Sequence, residues 1–380
     1  MSGKAIVFIT VLTILLLACS SPKVPQDFLA MALSSQHPSI KKVMDSVAQY
    51  ELQIKYTQIN RDHDSITFTD YHYQVNDSNY FYPASTVKLL TAILSLEKLN
   101  ELDSVDLYSR FYIEGDSLET TFANEISKIF AVSDNEANNR LFEFLGQDRI
   151  NEELKSRDIG PARISHRLSA LNSDEVTTVP LVIYLNDSTV TPLKYSTNTI
   201  AKPLKLKKIK KGKAFYENKE LINEAFNFSL KNYYPINTQH EVLKRLIFPE
   251  AFPKEKRFRL KKNQHQFLLN AMCTLPKDLG YDPVDYYDGY CKFFMYRDTK
   301  DTIPKKLKIY NKAGSAYGTL TDCAYIKDPT NKVEFLLTAT LLVNANGILN
   351  DNQYEYQDIG LPFLAQLGRE IYHLERTQKH

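Results

Sequence analysis

The amino-acid sequence predicts an α/β sandwich: one antiparallel sheet drawing strands from both ends of the chain, flanked by helices, with an all-helical subdomain beside it. Three observations carry this. Two runs early in the chain, "ELQIKYTQI" and "SITFTDYHYQV", alternate as the strands of a hairpin do. Three β-rich runs near the C-terminus, "KLKIYNKAGSAYG", "TLTDCAYI" and "KVEFLLTATLLV", are joined by turn residues. Between the two groups lie segments of helical periodicity, the pattern of a layered α/β domain.

The first residues stand outside that domain. An early Lys4 and an apolar run from Ala5 to Ala18 are too short to cross a bilayer but suit a secretory leader. The run ends in Leu16-Leu17-Ala18-Cys19, which resembles a bacterial lipobox, so residues 1–19 read as a leader ending at a lipidated Cys19. The implied product is an exported lipoprotein of the cell envelope, with residues 20–38 as a tether. The catalytic domain is expected over 39–380.

From residue 39, "SIKKVMDSVAQY" has helical periodicity and leads into the hairpin. "STVKLLTAILSLEKLNEL" follows, with Leu89, Ala92, Ile93, Leu96 and Leu99 as a core-facing stripe behind an N-terminal Ser. "TTFANEISKIFAVSDNEANNRLFEFLG" reads as two short helices broken at Ser133-Asp134-Asn135, and "QYEYQDIGLPFLAQLGREIYHLE" as a closing amphipathic helix.

At 380 residues, 43% of them hydrophobic, the chain can bury a large core, and a net charge of +2 gives it no global preference for polyanions. The charge is uneven: residues 201–265 hold 17 Lys plus Arg against 6 Glu. This stretch falls in a long connection, at about 184–265, read as a basic insertion. It is either a solvated loop leading into extra helices such as "KELINEAFNFSLKNYY" or a surface for anionic lipid or wall polymers. No nucleic-acid motif is present.

Besides Cys19 there are Cys273, Cys291 and Cys323. A Cys273–Cys291 disulfide and three free thiols both remain open, and no spacing of Cys and His suggests a metal or other cofactor. The 24 tyrosines, with no tryptophan, do not by themselves indicate carbohydrate binding, because Tyr is an ordinary strand residue.

The chemistry concentrates in three short motifs. In "YFYPASTVKLL", Ser85 and Lys88 stand three apart at a helix N-terminus, which places the hydroxyl beside unpaired N–H groups and the amine on the same face. A dry lysine there has a lowered pKa and can take the serine proton. Alone, such a pair is usually only a helix cap. Ser133-Asp134-Asn135 at a helix break and Lys312-Ala313-Gly314-Ser315 on a strand follow in order. Together they resemble the S-x-x-K, S-D-N and K-T-G signature of the class A β-lactamase and penicillin-binding-protein superfamily.

The resemblance covers about residues 39–180 and 266–380. It implies a β-lactamase-like sandwich and an acyl-serine hydrolase, with Ser85 as nucleophile and Lys88 as the general base or its proton relay. Ser133 would pass a proton to the leaving nitrogen, Asn135 would bind the substrate amide, and Lys312 would supply positive charge. Backbone N–H groups of Ser85 and Ser315 would form the oxyanion hole, with Gly314 allowing close approach of a ligand.

Two departures qualify this. Ala313 replaces a hydroxyl residue that helps hold the substrate carboxylate in the family. In "HRLSALNSDE", Leu171-Asn172 keep the tail of the family's deacylating loop, but the place of its Glu falls on Leu168 or Ser169. Glu175 is a relocated base or a solvated carboxylate. The sequence therefore implies a β-lactam or related amide as small-molecule substrate. A slowly deacylating carboxypeptidase or esterase, and a non-catalytic wall-binding lipoprotein, stand as alternatives. A monomer is expected.

Overall fold

Alternation along the strand Val333–Leu342 decides how the sheet is covered. Phe335, Leu337, Ala339 and Leu341 enter one apolar cluster with the helices Phe28–Leu33 and Leu361–Gln378. Thr338 faces the other way, where its Oγ1 lies 2.9 Å from Nδ1 of the buried His240 on the helix Ile236–Ile247. A period of two thus gives both faces a cover.

The computed structural model describes residues 26–378 apart from 64 and 193. The main sheet runs Lys308–Ala316, Thr319–Asp328, Val333–Leu342, Gln53–Asp62, Ser65–Tyr73, antiparallel throughout. The ends of the chain meet where Gln53 pairs with Thr340 and Gln58 with Phe335. The helices Lys88–Leu99, Phe122–Ala131, Asn135–Leu145 and Lys262–Cys273 share the second large apolar cluster, beside the opposite face. These are the expected sandwich and helical subdomain.

Three expectations need correction. The fold begins before residue 39: Phe28, Leu29, Ala32 and Leu33 are buried against the C-terminal helix, so much of the expected tether is packed structure. The basic insertion ends earlier than 265, because Val242, Leu243 and Leu246 of Ile236–Ile247 belong to the core. Within it, "KELINEAFNFSLKNYY" is not helical but forms the short strands Glu220–Ile222 and Phe226–Asn227. Its aromatics decide this: Phe228 sits 5.8 Å from Tyr82 and 5.2 Å from Tyr317 between ring centroids, closing a third cluster that a helix would not place.

Cys273, Cys291 and Cys323 are free thiols, the last two buried. Cys19 and the leader lie outside the described residues. Among the described residues, no helix is long and apolar enough to cross a membrane, and no group of metal-ligating side chains is found.

Candidate active site

Ser85 lies in a 3₁₀ turn, Ala84–Val87, that runs directly into the helix Lys88–Leu99. The turn is held by Thr86 Oγ1, which donates to the Pro83 carbonyl at 2.7 Å. Ala84 occupies the left-handed region at φ 47°, a strained conformation just before the serine.

The edge strand Lys308–Ala316 passes over this turn. A Cβ at Gly314 would stand 2.5 Å from the Ser85 nitrogen, so only glycine lets strand and turn come this close. The close approach expected of Gly314 is therefore to the nucleophile's own backbone rather than to a ligand. The register also orients Ser315. Tyr317 and Gly318, at φ 53° and 76°, form a two-residue hairpin closed by the pair Ala316–Thr319. In a two-residue hairpin the closing pair exchanges both hydrogen bonds, so the next pair, Ser315–Leu320, does not, and the Ser315 N–H is directed off the sheet edge.

Ser133 joins the helices Phe122–Ala131 and Asn135–Leu145, at φ 60°. Asp134 caps the second helix, accepting from Ala137 N at 2.8 Å, and this leaves Asn135 free to face inward. Lys88 Nζ, fully buried, donates to the Ser133 carbonyl and to Asn135 Oδ1 at 2.6 Å, and lies 3.4 Å from Ser133 Oγ. Lys312 Nζ donates to Ser133 Oγ at 2.8 Å and to the Ala313 carbonyl at 2.7 Å. One hydroxyl thus sits between two lysines.

Burial, then the nearby Lys312 charge, hold Lys88 well below the usual lysine range. Burial pushes Lys312 down to about 8. Both directions favour a free amine at Lys88 beside a lysine that still carries its charge at neutral pH.

Ser85, Ser133, Asn135, Gly314 and Ser315 line a cavity of about 690 Å³, with Lys88 and Lys312 buried at its margin. The structure thus brings all seven expected catalytic and substrate-binding residues together. Lys88, expected to take the Ser85 proton, has its Nζ directed at the Ser133 and Asn135 oxygens rather than at Ser85.

The segment that the resemblance aligns with the family's deacylating loop is held by Asn139. Asn139 grips Leu168 at both backbone atoms, donating to its carbonyl at 2.8 Å and accepting from its N–H at 2.9 Å. Leu168 turns its side chain into the core, and it is Ser169, at φ 51°, that borders the cavity. Glu175 is exposed and lines no part of the Ser85 cavity. Of its two open readings, geometry favours the solvated carboxylate.

Several contributors escaped the sequence reading. Tyr281, Tyr286, Tyr290 and Arg297 build the far wall, with the Arg297 guanidinium stacked 4.6 Å above the Tyr290 ring. The run "YDPVDYYDGYCKFF" carries the three tyrosines, and Arg297 follows three residues after it. Asp322, wholly buried, accepts from Asn311 Nδ2 at 2.9 Å and from Phe293 N at 3.2 Å, fixing the Cys291–Phe293 side of the cavity. Burial pushes its carboxyl up to about 6. A lone acid within "TLTDCAYI" marked it.

Residues 39–198 match the family model described as "Beta-lactamase enzyme family". No curated protein matches the chain by sequence. Among solved structures, the TLA-1 extended spectrum β-lactamase is 14% identical, covering 91% of this chain and 98% of its own, with a TM-score of 0.53. A class A β-lactamase representative from Bacteroides cellulosilyticus is 12% identical, covering 91% and 96%, at 0.52. A β-lactamase from Sphaerobacter thermophilus is 13% identical, covering 94% and 99%, at 0.50. At such identities the likeness is one of fold, and the fold is that of the class A β-lactamases.

Proposed function

We propose that the chain is an acyl-serine hydrolase acting on β-lactams or related amides through Ser85, with deacylation as its slow step, a reading supported by the β-lactamase family model over residues 39–198 and by the class A β-lactamase fold. The observation that carries this reading is the bonding of Lys88. A neutral amine has two hydrogens and one lone pair, and Lys88 spends its hydrogens on the Ser133 carbonyl and Asn135 Oδ1. The lone pair is left as an acceptor for a serine hydroxyl.

In this mechanism the Ser85 hydroxyl rotates toward Lys88 when substrate enters and loses its proton to the amine as Oγ attacks the acyl carbon. The developing oxyanion lies between the Ser85 and Ser315 N–H groups. Asn135, its oxygen held by Lys88, presents Nδ2 to a substrate carbonyl. Ser133 Oγ hands its proton to the leaving nitrogen and recovers one from the lysines on either side, Lys312 supplying the positive field. Leu168 is turned inward and Glu175 outward. Of the carboxylates that do line the Ser85 cavity, Asp134 caps the helix Asn135–Leu145 and Glu136 is exposed and paired with Arg140 at 3.8 Å, so none takes the place of the loop base. Water therefore attacks the acyl-enzyme without a dedicated base, which favours the slowly deacylating member of the alternatives.

Intact-mass spectrometry over time after adding a penicillin tests this. The expected result is an adduct on Ser85 that persists, absent in Ser85→Ala. An adduct that vanishes as product accumulates would mean efficient turnover by another base. No adduct with any β-lactam would refute the acyl-serine reading. We further propose export and anchoring through Cys19, supported by the apolar run before it; Cys19→Ser should then release the protein from the membrane fraction.

A further inference from the structure

Beyond Ser315 the catalytic cleft continues into a second cavity, of about 660 Å³, sharing Ser169 and Ser315 with the first. Its lining differs in kind. Tyr82, Tyr317, Tyr354 and Tyr356 contribute four aromatic rings, and His166 stacks parallel to Tyr82 at 6.1 Å.

The hydrogen-bonding capacity of this lining is largely unspent. Tyr354 and Tyr356 hydroxyls accept from Asn350 N and Gly318 N, both at 2.8 Å, which leaves their own O–H groups to donate. His166 is 6% exposed; its Nδ1 lies 2.5 Å from the Arg167 carbonyl and so carries the proton, and Nε2 remains a buried acceptor with no partner. Burial holds this imidazole down to about 4, so it stays neutral, and burial raises all four phenols, so they stay protonated.

Charges at the rim are compensated. Arg167 is paired bidentately with Glu143, and Lys231 with Asp174 at 3.4 Å. A ligand carrying formal charge would find no free counter-charge here. A neutral ring bearing hydroxyl and amide groups meets apolar aromatic faces, phenol donors and the amide of Asn352, with the His166 imidazole stacked on Tyr82.

The basic insertion supplies the footing of this wall. Phe226 stacks on Tyr317 at 5.6 Å, and Phe228 meets both Tyr317 and Tyr82. Its aromatic residues back the wall from behind, and Lys231 of the same stretch reaches the rim.

We propose that this second cavity is a saccharide subsite, holding a neutral N-acetylated sugar unit of a glycan-linked substrate whose acyl group lies at Ser85. The subsite deepens the acyl-serine reading and rests on it for the orientation of the substrate.

The test uses the full chain and an N-acetylated amino-sugar disaccharide as probe, with binding followed by tyrosine fluorescence or calorimetry and Ser85 acylation by a penicillin measured beside it. Saturable binding is expected, weakened at least about tenfold in Tyr317→Ala and about fivefold in Tyr354→Phe, which removes one donor and keeps the ring. Penicillin acylation of Tyr354→Phe should match the unaltered protein, whereas Tyr317 belongs to the hairpin that carries Ser315 and its variant is read by disaccharide binding alone. No saturable binding, binding indifferent to both substitutions, or binding of an amide-bearing peptide in place of the disaccharide would each overturn the proposal. Disaccharide binding with no acylation by any β-lactam would instead overturn the acyl-serine reading and leave the subsite standing.

Discussion

Replacing Gly314 by Ala tests the contact on which the site depends. The new Cβ would lie 2.5 Å from Ser85 N, 3.0 Å from Ala84 Cβ and 3.1 Å from Thr86 N, all atoms of the backbone turn or its short side chains. Ordinary contact begins at 3.4 Å, so the strand and the nucleophile turn must part by about 0.9 Å, the difference between 3.4 and 2.5. Neither side yields easily: the strand is paired along its length with Thr319–Asp328, and Ala84 is already at φ 47°. Overpacking of this kind costs roughly 1–3 kcal/mol, against about 0.4–1 kcal/mol gained from a less flexible unfolded chain. The net expectation is a lower urea midpoint by about 1–2 kcal/mol of stability.

The effect on chemistry should be larger. The same movement separates the Ser85 and Ser315 N–H groups, and a misplacement near 1 Å is worth about a hundredfold in rate. The assay is the rate of Ser85 adduct formation by intact mass, beside urea unfolding of the same preparation. Acylation within threefold of the unaltered protein together with an unchanged midpoint would refute the reasoning, since the strand would not then press on the turn.

Three further outcomes follow from the same geometry. Lys312 titrates near 8 when folded against 10.5 when free, so the unfolded chain holds the extra proton between those values and stability rises with pH across that window, by roughly 3 kcal/mol in all. Lys312→Met should remove that contribution, and a little more as Lys88, freed of the neighbouring charge, regains proton affinity when folded; a difference in unfolding free energy between the two proteins that stays flat from pH 7 to about pH 11 would contradict it. Lys88→Met should slow acylation by about 10²–10⁴-fold while the protein still folds, and an unchanged rate in the mass assay would remove Lys88 as the base. Arg157 donates to both carboxylate oxygens of the buried Glu97, at 2.9 and 2.8 Å, so Arg157→Met should cost about 3–5 kcal/mol in chemical denaturation by stranding that charge.

The sheet was legible because its signal is local. Alternation in 53–62, 65–73 and 333–342 depends on neighbours along the chain, and the three motifs kept their order and their element types. The segment 219–234 misled for the same reason: its local pattern suits a helix, but Phe226 and Phe228 are committed to Tyr317, about ninety residues away. Phe28–Leu33 was taken for a tether because six residues carry too little periodicity to announce a helix, and its burial depends on the far end of the chain.

The site divides along the same line. The identities of Ser85, Lys88, Ser133, Asn135, Lys312 and Gly314 came from the sequence, because chemistry requires those residue types at those spacings. Which atom each one faces did not. That Lys88 turns to Ser133 and Asn135, that Gly314 presses on Ser85, and that Leu168 is drawn into the core by Asn139 depend on how helices and an edge strand from distant segments meet. The sequence by itself determined the fold class, the order of its elements and the set of reactive groups. Tertiary structure decided protonation, orientation and the second cavity, because burial and hydrogen-bond partners are properties of packing between segments far apart in the chain.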